Sequence, residues 1–279
     1  MDNFRLLSLK KIEGNIISEN TDLSICLGAN GFIFSLIDNN NYTLKAIGEF
    51  ACELCSSITT VMSALRGSLS SIDIRLFNFA NIRVIAQTTK DVFVPVKLFD
   101  NTKVRDYLQN CALLNGSDTI LEAISERLDT INVFAMPMFQ HSGVKILMPK
   151  AEFMPCQKIL AEYVFDTSKL ANNTAILYRN EKGADIVVFK GTQFTLSNSF
   201  VYDNSEDLIY NVLFAFNNLN IDTEDVNLLI TGQKYSVEEQ QLLSRYIKNV
   251  AYANPMESLR VGIEFDGIDL QRYFLVLSR

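Results

Sequence analysis

Three short stretches of this sequence hold residues whose types and spacing suit chemistry. Leu229-Ile230-Thr231-Gly232-Gln233 runs an apolar segment into a Thr-Gly turn just ahead of a helical pattern. Such a turn presents backbone N–H donors at a helix start and lets a ligand approach the main chain closely, as a nucleotide contact requires. It is equally a sound strand-to-helix connection, and Gln233 stands where a second glycine would help. Gly28-Ala29-Asn30-Gly31 joins two apolar runs; it opens a strand and not a helix, so it is no dinucleotide fingerprint. Cys52-Glu53-Leu54-Cys55 has the spacing of a redox pair, whose reactivity depends on N–H groups at a helix start lowering the thiol pKa. A zinc site would need two further ligands, and the chain holds one histidine, His141, and no second C-x-x-C. The expectation is therefore two small core residues in the first turn of an amphipathic helix, with His141, beside Ser142-Gly143, in a loop or at a helix entry.

A single histidine removes most acid–base schemes and any Ser-His-Asp triad, and neither a G-x-S-x-G elbow nor a G-x-x-x-x-G-K-[ST] loop occurs. No catalytic or metal-binding residue is expected. The 279 residues are 48% hydrophobic and 20% charged, which excludes a disordered chain and leaves room for two medium domains. With 25 Lys+Arg against 32 Asp+Glu the net charge is −7, and no basic stripe offsets the repulsion of a nucleic-acid backbone, so no nucleic-acid partner is expected. Five cysteines at irregular spacing suit a reducing compartment. The start lacks a signal-peptide core, and no run reaches the roughly 20 apolar residues of a membrane span, so the expectation is a cytoplasmic protein without a transmembrane segment.

The elements that must position these residues recur. From Asp22, runs rich in β-branched and aromatic residues alternate with turn formers: Leu23 to Leu27, Gly28 to Gly31, Phe32 to Ile37, Asn39 to Asn41, Tyr42 to Phe50. From Thr174 the same meander follows as Ala175 to Tyr178, Arg179 to Gly183, Ala184 to Phe189, Lys190-Gly191, then Gln193 to Tyr202. One offset, 152, separates Gly31 from Gly183 and Phe50 from Tyr202. A helical pattern follows each meander, Leu54, Ile58, Val61, Met62 and Leu65 matching Leu208, Val212, Ala215, Phe216 and Leu219 at an offset of 154. Ser236 with Glu239 is a capping box opening a helix to Ile247, between strands at Val226 to Ile230 and Asn249 to Tyr252. In the first copy, strands are expected at Ile82 to Ala86, Asp91 to Val94 and Ile131 to Ala135. Helices are expected from Asn101 to Leu114, with Cys111 inward, from Ser117 to Leu128, and from Cys156 to Val164. Leu270 to Leu277 reads as a closing strand. Strands alternating with helices after a meander give an α/β mixed sheet, twice, with a division into residues 1–164 and 165–279.

A β-β-β-α-β-α-β unit occurring twice resembles the actin-like ATPase superfamily, whose members duplicate a ribonuclease-H-like domain and bind nucleotide in the cleft between copies. Val94-Pro95 followed by Leu98-Phe99 and a helix, then Val133-Phe134-Ala135-Met136-Pro137, is similar to an uncharacterised bacterial family to which this fold is attributed. The resemblance implies an Asp-x-Gly turn after the first strand of each copy, its acids holding Mg²⁺. This chain has Gly28-Ala29-Asn30-Gly31 and Arg179-Asn180-Glu181-Lys182-Gly183 instead, leaving Glu181 the one acid in either turn. The nuclease variant would need a cluster of acids, and Asp22, Glu53 and Asp73 do not form one. The turn at Thr231-Gly232 is similar to the adenosine-side signature of the superfamily.

Two readings follow. In the first, the chain is a non-catalytic binding or scaffold protein with a protein partner and no cofactor. In the second, it binds or hydrolyses ATP in the cleft through Gly28, Asn30 and Gly31 on one side and Thr231, Gly232 and Gln233 on the other, with Asn30, Glu181 and Lys182 as unorthodox ligands. The missing acid pair favours the first.

Overall fold

The computed structural model describes residues 4–12, 18–28, 30–52, 57–74, 79–168, 173–256 and 259–278. Strand β1 (Phe4–Lys11) precedes a meander of β2 (Thr21–Leu27), β3 (Gly31–Asp38) and β4 (Thr43–Cys52), which leads through α1 (Ile58–Ser70) to β5 (Ile82–Ala86). An insertion follows: β6 (Asp91–Pro95), α2 (Val104–Gln109), β7 (Asp118–Ser125) and β8 (Thr130–Pro137). Then come α3 (Met138–Leu147), β9 (Glu152–Pro155) and α4 (Cys156–Ser168). The second half runs β10 (Asn173–Arg179), β11 (Ala184–Lys190), β12 (Gln193–Phe200), α5 (Ser205–Asn218), β13 (Val226–Gly232), α6 (Val237–Tyr246), β14 (Asn249–Tyr252) and α7 (Phe274–Leu277).

These strands make three sheets: β1-β4-β3-β2-β5-β9, β12-β11-β10-β13-β14, and the small β6-β8-β7. Apart from β1, the two large sheets share one order: meander strands three, two and one, then two parallel strands. Central strands β3 and β11 read as near-continuous apolar runs because both of their faces are covered, which is how a strand inside an α/β layer must read.

One face of the first sheet packs on α1 and α3, and one face of the second on α5 and α6. Their other faces share a core built around two crossed helices. Helix α4 follows the first sheet in sequence but lies on β10 and β11 of the second, whereas α7 ends the second half but lies on β2 and β3 of the first. Phe274, Leu275, Val276 and Leu277 are all buried, the Ser35 hydroxyl donates to the Val276 carbonyl at 2.6 Å, and the Arg83 guanidinium donates to the Ser278 carbonyl at 2.7 Å.

Several expectations fail for identifiable reasons. Leu270 to Leu277 is a 3-10 turn and a helix, not a strand: an unbroken apolar run fits either kind of buried element, and the Asp269 side chain starts the turn by accepting from the Gln271 N–H. Ser117-Asp118 opens strand β7 rather than a helix, because this segment pairs along its whole length with β8 around a turn at Asp129, φ 51°. The helix after Asn101 ends at Gln109, leaving Cys111 exposed. Cys52 closes strand β4 and is buried, whereas Glu53, Leu54 and Cys55 lie outside the described residues. His141 sits within α3, its ring 4.8 Å from that of Phe153. The match between α1 and α5 also shifts. Their caps, Ser57 and Asn204, align Val61 with Leu208, Leu65 with Val212 and Leu69 with Phe216, an offset of 147. The earlier 154 differs by seven residues, two helical turns, a slip to which periodicity is blind.

Because α7 closes the core shared by both sheets, Phe274→Ala should cost about 3–5 kcal/mol and lower the stability of both halves together. Denaturant unfolding followed by far-UV dichroism would test this. A biphasic transition in which one half keeps wild-type stability would contradict it.

Candidate functional site

The two meander turns meet across the space between the large sheets. Each is closed by the same bond: the Gly28 N–H donates to the Gly31 carbonyl and the Asn180 N–H to the Gly183 carbonyl, both at 2.9 Å. Gly31 and Gly183 are required by contact. A Cβ would lie 2.0 Å from the Phe50 carbonyl oxygen in one and 2.1 Å from the Phe200 carbonyl oxygen in the other, where the third strand passes. Phe50 thus corresponds to Phe200, not to Tyr202, because the hairpin after β11 is two residues shorter than that after β3.

Across the cleft mouth the Asn30 amide donates to the Glu181 carboxylate at 3.1 Å, and below it the Gln87 amide donates to the Tyr178 hydroxyl at 3.0 Å. Two pockets, about 180 and 280 Å³, share the wall made by Gly28, Gln87, Asn180 and Glu181. The first is rimmed by Glu49, whose carboxylate accepts from Arg272 at 2.6 and 2.5 Å. Of the residues expected from sequence, Gly28, Asn30, Gly31 and Gln233 line this pocket together.

Thr231 and Gly232 are spent elsewhere. The Thr231 hydroxyl is fully buried and donates to the Gln271 side chain at 2.8 Å. Gly232, φ 94°, packs so closely on Arg179 that a Cβ would fall 2.2 Å from its carbonyl oxygen, and that same oxygen takes the Gln233 N–H at 2.9 Å. The Arg179 guanidinium caps the turn. It donates to the Lys234 carbonyl at 2.5 Å and to Glu239 at 2.8 Å, and lies over the rings of Tyr202 and Tyr235. Glu239 also completes the capping box with Ser236 expected from sequence.

The floor is polar and buried, and its residues went unnoticed in the sequence. Asp185 accepts from the Asn180 amide at 3.0 Å, from the Gln157 amide at 3.2 Å and from the Ser199 hydroxyl; Gln157 also donates to the Thr88 carbonyl at 2.6 Å. Burial pushes the Asp185 carboxyl up, against the pull of these neutral donors. Asp91, bonded by the Asn132 amide at 3.2 Å, is pushed up to about 7 by burial, with Asp185 adding to the effect. The thiols of Cys26 and Cys156 are raised by burial too, Cys26 to about 12. The signal available was a lone acid inside the apolar run Ala184 to Phe189, and a glutamine one residue into an apolar helix: polar groups that folding buries only with partners.

Chemically this arrangement offers hydrogen bonds and few charges: Glu181 lines both pockets, Lys182 lines the second, and Glu49 and Arg272 pair at the rim of the first. Among the described residues no group of three or more His, Cys, Asp or Glu is placed to hold a metal ion. Glu181 is the single acid in the two turns, and its partner is an amide.

Comparison with known proteins agrees with this topology. The family model described as "Protein of unknown function (DUF3822)" matches residues 13–250. A Bacteroides thetaiotaomicron protein with actin-like ATPase fold and unknown function superimposes with a TM-score of 0.79 at 20% identity, covering 95% of this chain and 100% of that one. A chain of the PilM-PilN type IV pilus biogenesis complex superimposes with a TM-score of 0.61 at 14% identity, covering 92% of this chain and 96% of that one. No curated protein matches. The fold is the actin-like ATPase fold, with two large sheets in a ribonuclease-H-like arrangement.

Two measurements probe the floor. Asp91 releases its proton near 3.8 when unfolded and near 7 when folded, so between those values the unfolded chain binds fewer protons and stability falls as pH rises. Asp185 acts in the same direction. Asp91→Asn should flatten that decline in melting temperatures taken from about pH 4.5 to 7.5; an unchanged slope would show that Asp91 titrates normally. Under a brief native thiol-labelling pulse, Cys111 should react while Cys26, Cys52 and Cys156 wait for unfolding. Peptide mass mapping reads this, and early labelling of Cys26 or Cys156 would contradict the closed floor.

Proposed function

From the premise that this chain belongs to the DUF3822 family, whose function is unknown, we propose that it is a non-catalytic scaffold of actin-like fold that acts by binding a protein partner. The observation that carries this reading is the Asn30–Glu181 contact, which ties the two turns together where a nucleotide's phosphate chain would pass. A magnesium nucleotide does not fit the donor set on either side. Phosphate transfer in such a cleft needs a metal held by acids to offset developing charge, and here one acid is engaged by an amide beside Lys182. On the other side the Thr231 hydroxyl is turned to Gln271 and the Gln233 N–H to Arg179.

The sequence division into 1–164 and 165–279, the cytoplasmic location and the absence of a nucleic-acid partner belong to the same reading. Among the described residues no helix is long and apolar enough to cross a membrane. One structural neighbour belongs to a pilus biogenesis complex, a precedent that supports a role in an assembly.

Melting curves with and without Mg-ATP, paired with a phosphate-release assay, test the reading. A ligand bound only by the native state at about 100 times its Kd would stabilise by about 2.7 kcal/mol; the expected shift is none, and phosphate release should stay at background. Magnesium-dependent release lost in Glu181→Gln would refute the scaffold and favour an ATPase.

A further inference from the structure

A groove beside the cleft, sharing Asp91 and Ser199 with its floor, lies between the insertion and the second large sheet. It encloses about 710 Å³ and is lined by the unbroken runs Thr89 to Phe93 and Phe194 to Ser199, with Cys111 to Leu113 at its lip. Side chains of a strand alternate between faces, so consecutive residues line a groove only when the strand turns its edge toward it. Both strands are edges: among the described residues β6 pairs only with β8, and β12 only with β11. At one end the rings of Phe93 and Phe194 meet at 4.7 Å, so the two strands are in side-chain contact there.

We infer that this groove binds an extended, uncharged peptide segment of a partner protein, which adds a strand between the free edges of β6 and β12. The inference deepens the scaffold reading and rests on it, because it names the surface and the chemistry of the partner. Exposed strand edges present unpaired backbone N–H and C=O groups, and an extended chain is the ligand whose own main chain satisfies them. Two edges facing one gap take a single strand on both of its sides.

Charge selects the segment. The one cation in the lining, Lys90, is engaged by Asp118 at 2.5 Å, and the one acid, Asp91, is bonded by Asn132. Burial holds that acid up to about 7, and the rest of the lining is Thr, Ser, Asn, Cys, Ala, Val, Leu and Phe. A charged side chain entering here would lose water without gaining a counter-ion. Leu113, 93% exposed at the lip, offers an apolar contact with nothing over it. The five residues of β6 span about 17 Å, so a segment of about five to eight residues fills the site.

The probe is a displayed library of random eight-residue segments selected on the full chain, followed by synthesis of the enriched peptides with capped ends. The expected outcome is enrichment of uncharged segments with alternating apolar residues, binding with Kd of about 1–100 μM. Methylating alternate backbone nitrogens of those peptides should weaken binding at least about tenfold, since each lost N–H removes an edge hydrogen bond. Leu113→Glu and Ser197→Arg should each weaken it at least about fivefold without moving the melting temperature; Leu113→Glu keeps the test valid if Ser197→Arg misfolds. Amide exchange should slow on peptide addition at 91–95 and 193–200.

Absence of enrichment, binding indifferent to N-methylation, or protection confined to other segments would overturn the groove. So would a dimer in sedimentation that Leu113→Glu dissolves, which would make a second copy the occupant. Phosphate release measured on the same samples separates the two readings: turnover with peptide bound defeats only the scaffold, and no turnover with no peptide bound defeats only the groove.

Discussion

The structure depends on one constraint, that the inner faces of both large sheets must be buried and neither half supplies its own cover. Helix α4 leaves the first sheet to cover the second, and α7 leaves the second half to cover the first. Each half therefore completes the other's core, and burial of side chains such as Leu160, Val164, Phe274 and Leu275 is shared rather than local. At about 25 cal/mol per Å² of apolar surface, a shared core of this kind outweighs any single hydrogen bond across the cleft. It also fixes how far the two meander turns stand apart, and so whether Asn30 can reach Glu181.

Within that frame the cleft is set by close backbone approach. Gly31 and Gly183 let the third strand of each meander press against the turn, and Gly232 lets β13 press against Arg179. These contacts bring main-chain groups near enough to satisfy one another, so the N–H groups of Gly28, Asn180, Lys182, Gly183 and Gln233 are engaged within the turns. The floor follows the same logic. Asp185 carries three neutral donors and no cation, an arrangement that tolerates a carboxylate while raising its proton affinity. A site built this way favours neutral polar contact over charge stabilisation.

The sequence disclosed the meanders, the capping box at Ser236 and the pairing of Gly31 with Gly183, because each is local: strand runs bounded by turn formers, a cap at fixed spacing, a glycine before a strand. It misled where one pattern serves two structures. Leu270 to Leu277 is apolar throughout, Ser117-Asp118 suits a cap or a turn, and a seven-residue slip leaves a helix face unchanged. It was silent where partners are distant. Gln157, Asp185 and Tyr178 come from α4, β11 and β10 and Gln87 from the loop after β5, and the use of Thr231 by Gln271 depends on residues 270–277 folding back as a 3-10 turn and a helix. Strand β9, four residues ending at Pro155, is too short for a period to show in the sequence. The groove beside β12 was equally invisible, since an edge is a property of the finished sheet.

A cleft satisfied internally has a consequence for how such a protein can work. A ligand shifts a conformational equilibrium only by the difference in its affinity for the two states. In an actin-like fold driven by nucleotide, that difference comes from phosphate and metal contacts made across the cleft. Here the bridging contacts are Asn30 with Glu181 and Gln87 with Tyr178, made between the chain's own side chains, and the core beneath them is common to both halves. Regulation through the cleft would have to break these bonds rather than make new ones, so recognition falls more readily to surfaces away from them, the free edges of β6 and β12 among them.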